Sequence, residues 1–100
     1  MTASNDYLNK LPIWTEDSAA RFAAEEGIVL SHTHIEILKV ARAFYQAYGF
    51  SPSMRPLCKT VAASLGVEMG RSIYLNQQFP GSPAKLVAKL AGLPKPKNCL

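Results

Sequence analysis

The sequence has few of the residues from which reactive centres are usually built. Its 100 residues include two cysteines, two histidines and one tryptophan, and only 18 % are charged. Two cysteines cannot make a disulfide-rich framework. Cys58 and Cys99 form no CxxC pair, which excludes a dithiol redox motif and a structural zinc site of the usual spacing. There is no glycine-rich nucleotide loop, no pair of catalytic carboxylates and no serine triad. No leader segment and no apolar run of about 18 residues is present, so a reducing cytoplasm is the expected compartment and no membrane is expected. A hydrophobic share of 48 % and a mean hydropathy of +0.01 exclude an acidic disordered chain. What remains is one domain over residues 1–100, with a modest core and little room for an elaborate cleft.

Negative charge is the scarcest feature of the second half. Residues 1–50 hold six carboxylates and four cations, a balance of −2. Residues 51–100 hold seven cations against Glu68 alone, a balance of +6. An acidic partner would favour that half, although a solvated surface accounts for the same count.

Helix signals divide the rest of the chain. Tyr7, Leu8, Leu11, Ile13 and Trp14 suggest a short extended segment, with Pro12 against a central strand. Thr15 with Glu16 and Asp17 opens a helix over about 16–26, with Ala19, Phe22 and Ala23 inward. Ser31 caps a second helix, about 32–48, that buries Ile35, Leu38, Phe44 or Tyr45, and Tyr48 before Gly49. A third helix, about 56–65, carries Leu57, Val61 and Leu65. A fourth, about 70–78, packs Ile73, Tyr74 and Leu75 and stops at Phe79-Pro80. Ser82-Pro83 opens a fifth, about 83–91, with Leu86, Val87 and Leu90 inward. The expected class is mainly α.

After Gly92 the chain reads Leu93-Pro94-Lys95-Pro96-Lys97-Asn98-Cys99-Leu100. Two prolines two apart forbid helix and favour a semi-stiff extended arm, expected to be mobile over 93–100. A thiol on such an arm is hard to bury and can enter another protein's cleft, there to accept or hand over sulfur. Lys95 and Lys97 favour its thiolate, whereas the terminal carboxylate opposes it. A chance cysteine in a frayed tail is the plain alternative. Cys58 reads as a small structural helix residue, and a Cys58–Cys99 disulfide stays open as a lesser option.

Two other features invite a function. His32 and His34 bracket Thr33 without a supporting Cys or Asp cluster, so no metal is expected, and His34 should cap or pack. Val61-Ala62-Ala63-Ser64-Leu65-Gly66-Val67 between helical stretches, followed by Arg71, fits a helix-turn-helix on DNA. Such runs are common in domains that bind no DNA, and direct nucleic-acid binding is not the leading expectation.

Phe79-Pro80, Pro83-Ala84-Lys85, the run Ala91-Gly92-Leu93-Pro94-Lys95-Pro96 and the penultimate Cys99 together resemble the C-terminal signature of the TusE/DsrC family of sulfur-relay proteins. The likeness extends back through Ser72, Tyr74 and Leu75, Ser51-Pro52 and Arg55, and Phe44-Tyr45. It also takes in Glu25-Glu26-Gly27-Ile28, Leu30-Ser31, His34 and Trp14, and so covers about residues 7–100. The resemblance implies a compact array of about five helices, with the family's small N-terminal β-meander truncated or vestigial. It implies that Cys99 carries sulfur as a persulfide. In the TusE branch a TusBCD-type complex is the donor and the tRNA thiouridylase MnmA the acceptor. In the DsrC branch, the partner of dissimilatory sulfite reductase, a second cysteine stands at the position that is Ala88 here, so the resemblance favours the TusE-like branch. The chain departs from the family pattern at Ile35, Ile73, Asn76, Gln78 and Gly81-Ser82, and those changes bear on which partner it meets.

The leading expectation is therefore a single-thiol sulfur carrier, a persulfide relay rather than a stand-alone enzyme. Cys99 is its nucleophile, and Arg55, Lys85, Lys89, Lys95 and Lys97 are candidates for persulfide or partner electrostatics. No cofactor is expected, and a monomer making transient complexes fits a carrier that must release each partner. The alternatives are a non-catalytic partner of a sulfite-reductase-like complex or sulfur-oxidation relay, a helix-turn-helix regulator, and a scaffold whose relay has decayed.

Overall fold

Short polar side chains decide where the first two α-helices begin. The computed structural model describes residues 6–97; Asn98, Cys99 and Leu100 lie outside the described residues. Thr15 Oγ1 accepts the Ser18 N–H at 3.0 Å while Ser18 Oγ accepts the Thr15 N–H at 3.0 Å, a reciprocal cap on α1 (Glu16–Glu25). Glu16 and Asp17 stand in its first turn, at the positive end of the helix dipole. Ser31 and His34 form the same reciprocal arrangement on α2 (His32–Tyr48), which stops at Gly49 as the sequence implies. α3 (Met54–Leu65) starts two residues before the expected position. Pro56 then falls in the first turn, where a missing N–H leaves no helix bond unmade. α4 (Ser72–Gln78) and α5 (Pro83–Leu90) follow, and α5 has proline at its first position.

The segment before α1 differs from the expected extended run. Tyr7–Lys10 form a single 3-10 turn, tied to α2 where the Leu8 N–H donates to Gln46 Oε1 at 2.9 Å. Among the described residues there is no strand. α2 is the central element, packing against the 3-10 turn, α3 and α5, while α1 lies on α5.

The core collects Ala19 and Ala23 of α1, Ile37, Leu38, Val40 and Ala41 of α2, Leu57 and Val61 of α3, Leu75, Phe79, and Val87, Ala88 and Leu90 of α5. Each large member contributes roughly 1.5–3 kcal/mol by leaving water. Two expected core residues are on the surface: Tyr48 is 60 % and Ile73 67 % exposed. Both sit near a helix end where the neighbouring helix no longer covers them. Phe79, read as a terminator, is fully buried and meets the His34 ring edge-to-face at 5.1 Å. His34 also joins α2 to the end of α4. Its Nε2–H donates to the Gln78 carbonyl at 2.9 Å and its Nδ1 accepts the Ser31 N–H at 3.0 Å. Both ring nitrogens are thus committed to structure.

Residues 66–71 link α3 to α4, a longer connection than the three or four residues of a helix-turn-helix. Gly70 brings this link against α3. A β-carbon there would lie 2.5 Å from Ala62 Cβ and 2.6 Å from the Cys58 carbonyl oxygen. No side chain fits.

Candidate site at the root of the C-terminal arm

The arm leaves α5 through a tightly specified exit. The Gly92 N–H bonds the Lys89 carbonyl at 3.2 Å and the Leu93 N–H bonds the Ala88 carbonyl at 2.8 Å, with Gly92 left-handed at φ +72°. This double closure satisfies two of the last carbonyls of α5. Two more are taken by side chains from distant segments. Trp14 Nε1 donates to the Leu90 carbonyl at 2.8 Å, and Arg42 Nη1 donates to the Ala91 carbonyl at 2.7 Å. Arg42 comes from the middle of α2 and lies over the Trp14 ring, 4.8 Å from its centroid. A guanidinium at a helix C-terminus meets the negative end of the dipole, and its hydrogen bond is charge-assisted. Burial pushes the Arg42 guanidinium below its usual range, but the side chain stays charged in a protein.

Beyond Gly92, Ser51 Oγ donates to the Pro94 carbonyl, and Leu93 and Pro96 are buried while Lys95 and Lys97 are exposed. Ser51 precedes α3, so the arm root is gripped from three places: the segment before α1, α2, and the α2–α3 link. The chain is therefore oriented as far as Pro96. Cys99, three residues on, lies outside the described residues.

A groove of about 1060 Å³ opens beside this exit, between the 12–14 segment, α1, the 80–82 link and α5. It gathers three of the five basic residues singled out from the sequence: Lys85, Lys89 and Lys95. Arg55 and Lys97 are outside its lining. Arg55 is exposed in the first turn of α3, four residues after Ser51. Lys89 is already engaged, since its Nζ lies 3.0 Å from Glu25 Oε1 and 2.6 Å from Glu26 Oε2. Those carboxylates raise its pKa and tie α5 to the end of α1.

Cys58 is half-buried on α3, where its surroundings favour the protonated thiol. Burial pushes its pKa up, against a smaller lowering by a backbone hydrogen bond. Ala88 is 2 % exposed, packed in the core face of α5. Among the described residues no cluster of three His, Cys, Asp or Glu side chains could hold a metal, and no helix is long and apolar enough to cross a membrane.

The family model described as "DsrC like protein" matches residues 1–100, the whole chain. The chain belongs to the DsrC-like family. Similar proteins include "Sulfurtransferase TusE" of Sodalis glossinidius, 46 % identical over 99 residues that span 99 % of this chain and 92 % of that one. "Sulfurtransferase TusE homolog" of Haemophilus influenzae is also 46 % identical, over 99 % of this chain and 91 % of that one. Among solved structures, the NMR structure of Allochromatium vinosum DsrC aligns with a TM-score of 0.81 and 36 % identity over 99 % of this chain and 88 % of that one. The crystal structure of the oxidized gamma-subunit of the dissimilatory sulfite reductase (DsrC) from Archaeoglobus fulgidus aligns with a TM-score of 0.69 and 26 % identity over the full chain and 91 % of that one.

This DsrC-like chain contains one important side chain that its sequence pattern concealed. By sequence Arg42 is one more positive charge, yet it helps hold the arm root. The available signal was its place in the α2 apolar stripe, four residues after Leu38 and three before Tyr45. A lone arginine at such a position has its stem buried and its head seeking carbonyls.

Proposed function

We infer that this DsrC-like protein is a sulfur carrier, accepting sulfur as a persulfide on Cys99 and passing it to a partner, with tRNA 2-thiouridine synthesis as the destination. The observation that carries the reading is the cysteine pattern within a full-length match to TusE sulfurtransferases. The arm has one thiol, Cys99, and the position of the family's second cysteine is Ala88, buried in α5. Cys58 is a poor substitute on α3. A two-thiol cycle within the chain therefore lacks its second member.

The chemistry is an exchange without net oxidation. The Cys99 thiolate attacks the terminal sulfur of a donor persulfide. The donor's sulfur–sulfur bond breaks, the donor leaves as a thiolate, and a Cys99 persulfide forms. The acceptor repeats the attack on the terminal sulfur and regenerates the Cys99 thiolate. A gripped arm root serves this exchange by aiming the chain from a fixed point, so that a partner searches a small volume. Arg55, Lys85, Lys95 and Lys97 supply positive charge around the arm, suited to an anionic persulfide and to acidic partner surfaces. A TusBCD-like donor and a MnmA-like tRNA thiouridylase acceptor fit this chemistry, with the carrier a cytoplasmic monomer between them.

Intact mass after incubation with a cysteine desulfurase and its relay proteins tests the reading. Wild type and Cys58→Ala should gain about 32 Da, one sulfur atom, and Cys99→Ala should gain nothing. Equal uptake by Cys99→Ala would refute it.

A further inference from the structure

The groove beside the arm root has more surface than sulfur transfer by Cys99 requires. Its floor is apolar, formed by the half-buried Trp14, Phe22 and Leu86, and Ile13 at its edge is 92 % exposed. Besides Lys89, three cations stand around it: Arg21 from α1, Lys85 from α5 and Lys95 from the arm. Among the described residues none of the three is paired with a carboxylate, and the one carboxylate in the lining, Glu26, is held by Lys89 at 2.6 Å. At about 1060 Å³ the space is at the upper end of small-ligand pockets. An open cleft of that size accommodates several side chains.

Resting on the carrier reading, we propose that this groove docks an extended segment of a relay partner in which apolar and acidic residues alternate. The apolar side chains lie on Trp14, Phe22 and Leu86, and the carboxylates meet Arg21, Lys85 and Lys95. The charge balance selects this occupant, because every unpaired ionic group in the lining is positive. Nucleic acid is a poorer fit: one face of the Trp14 ring is already covered by Arg42 at 4.8 Å, which removes a stacking surface for a base. Lys95 belongs to both the groove and the arm, so an occupied groove fixes where the thiol can go. Cys99 is four residues past Lys95, and four residues reach at most about 14 Å. The Cys99 backbone must therefore lie within about that distance of Lys95, and the partner's reacting sulfur within reach of the side chain beyond it.

Trp14 is the sole tryptophan and reports occupancy directly by its fluorescence. The probe is a short synthetic peptide alternating leucine and glutamate, compared with a leucine–glutamine counterpart and with a single-stranded oligouridylate. The proposal expects saturable binding of the acidic peptide, at least about tenfold weaker binding of the glutamine peptide, and a similar loss in Lys85→Glu, whose exposed position leaves folding intact. Arg21→Glu should behave alike. Equal binding of the two peptides, unchanged affinity in both charge-reversal variants, or displacement of the acidic peptide by oligouridylate at comparable concentration would overturn it. Cys99→Ala should bind the peptide as wild type does. Sulfur uptake by mass, measured on the same samples, separates the two readings: uptake without peptide binding removes the docking proposal alone, and binding without uptake removes the carrier reading alone.

Discussion

Replacing Arg42 by methionine keeps the apolar stem and removes the guanidinium, and the structure allows the cost to be worked out. The hydrogen bond to the Ala91 carbonyl, 2.7 Å long, is charge-assisted, and such a bond contributes about 1.5–3 kcal/mol. The guanidinium over the Trp14 ring, 4.8 Å from its centroid, adds about 0.5–1 kcal/mol for a half-exposed site. The helix-dipole attraction acts through the same carbonyl and is not counted twice. Methionine recovers part of the packing but leaves the carbonyl of the fully buried Ala91 without its donor, so the net loss should be about 2–3 kcal/mol. For a domain of this size each kcal/mol moves Tm by roughly 4–8 °C, which gives a fall of about 8–24 °C. Urea unfolding followed by circular dichroism and by Trp14 fluorescence measures the loss. Arg42→Lys should restore part of it, since an ammonium can donate but cannot also lie flat on the indole. A double-mutant cycle with Trp14→Leu, which removes the aromatic face, should yield a coupling of about 0.5–1 kcal/mol for the ring contact. If Arg42→Met costs less than about 0.5 kcal/mol, Arg42 does not hold the arm root and the argument from its geometry fails.

Three further outcomes follow from the same structure. Ser51→Ala frees the Pro94 carbonyl; it should cost about 1 kcal/mol, seen as a lower urea midpoint. Gly70→Ala forces a β-carbon within 2.6 Å of the Cys58 carbonyl oxygen and 2.5 Å of Ala62 Cβ, so it should destabilise by at least about 1–3 kcal/mol, seen as a lower urea midpoint. Burial raises the Cys58 pKa, so the folded state holds this proton more tightly than the unfolded chain. Stability from this group is complete below the unfolded thiol's pKa and is lost as pH climbs through the raised folded value. Cys58→Ala should remove that alkaline component from the pH–stability profile; an unchanged profile would contradict it.

Much of the helical layout was legible because its signals are local. Thr15 and Ser31 begin α1 and α2 through bonds spanning three residues, and Gly49 and Gly92 end their helices by adopting conformations that favour glycine. Burial was less legible. On α2 the periodic pattern pointed to Tyr48, but the core uses Ile37, Val40 and Ala41 beside Leu38, because the neighbouring elements cover that side of the helix and leave Tyr48 exposed. Ile73 failed for a related reason: on a helix of seven residues, one covering neighbour decides which side is wet. Phe79 was hidden by its proline neighbour, which signals a stop and says nothing about the ring's burial.

The candidate site divides along the same line. The sequence by itself determined the residue pattern on which the carrier proposal rests: Cys99 just beyond two prolines that stiffen its arm, alanine at residue 88, and a second half nearly free of carboxylates. Those are properties of residue identity and spacing, and folding does not alter them. Only the tertiary structure decided how the arm is held and what adjoins it. Trp14, Arg42 and Ser51 are far apart in the chain, and their donors converge on the carbonyls of Leu90, Ala91 and Pro94 only after α2 crosses α5. The packing of α1 on α5 sorts the cations, pairing Lys89 with Glu25 and Glu26 while leaving Lys85 and Lys95 unpaired beside an apolar groove. Charge can be counted along a chain, but pairing depends on distances of a few ångströms, and packing sets those.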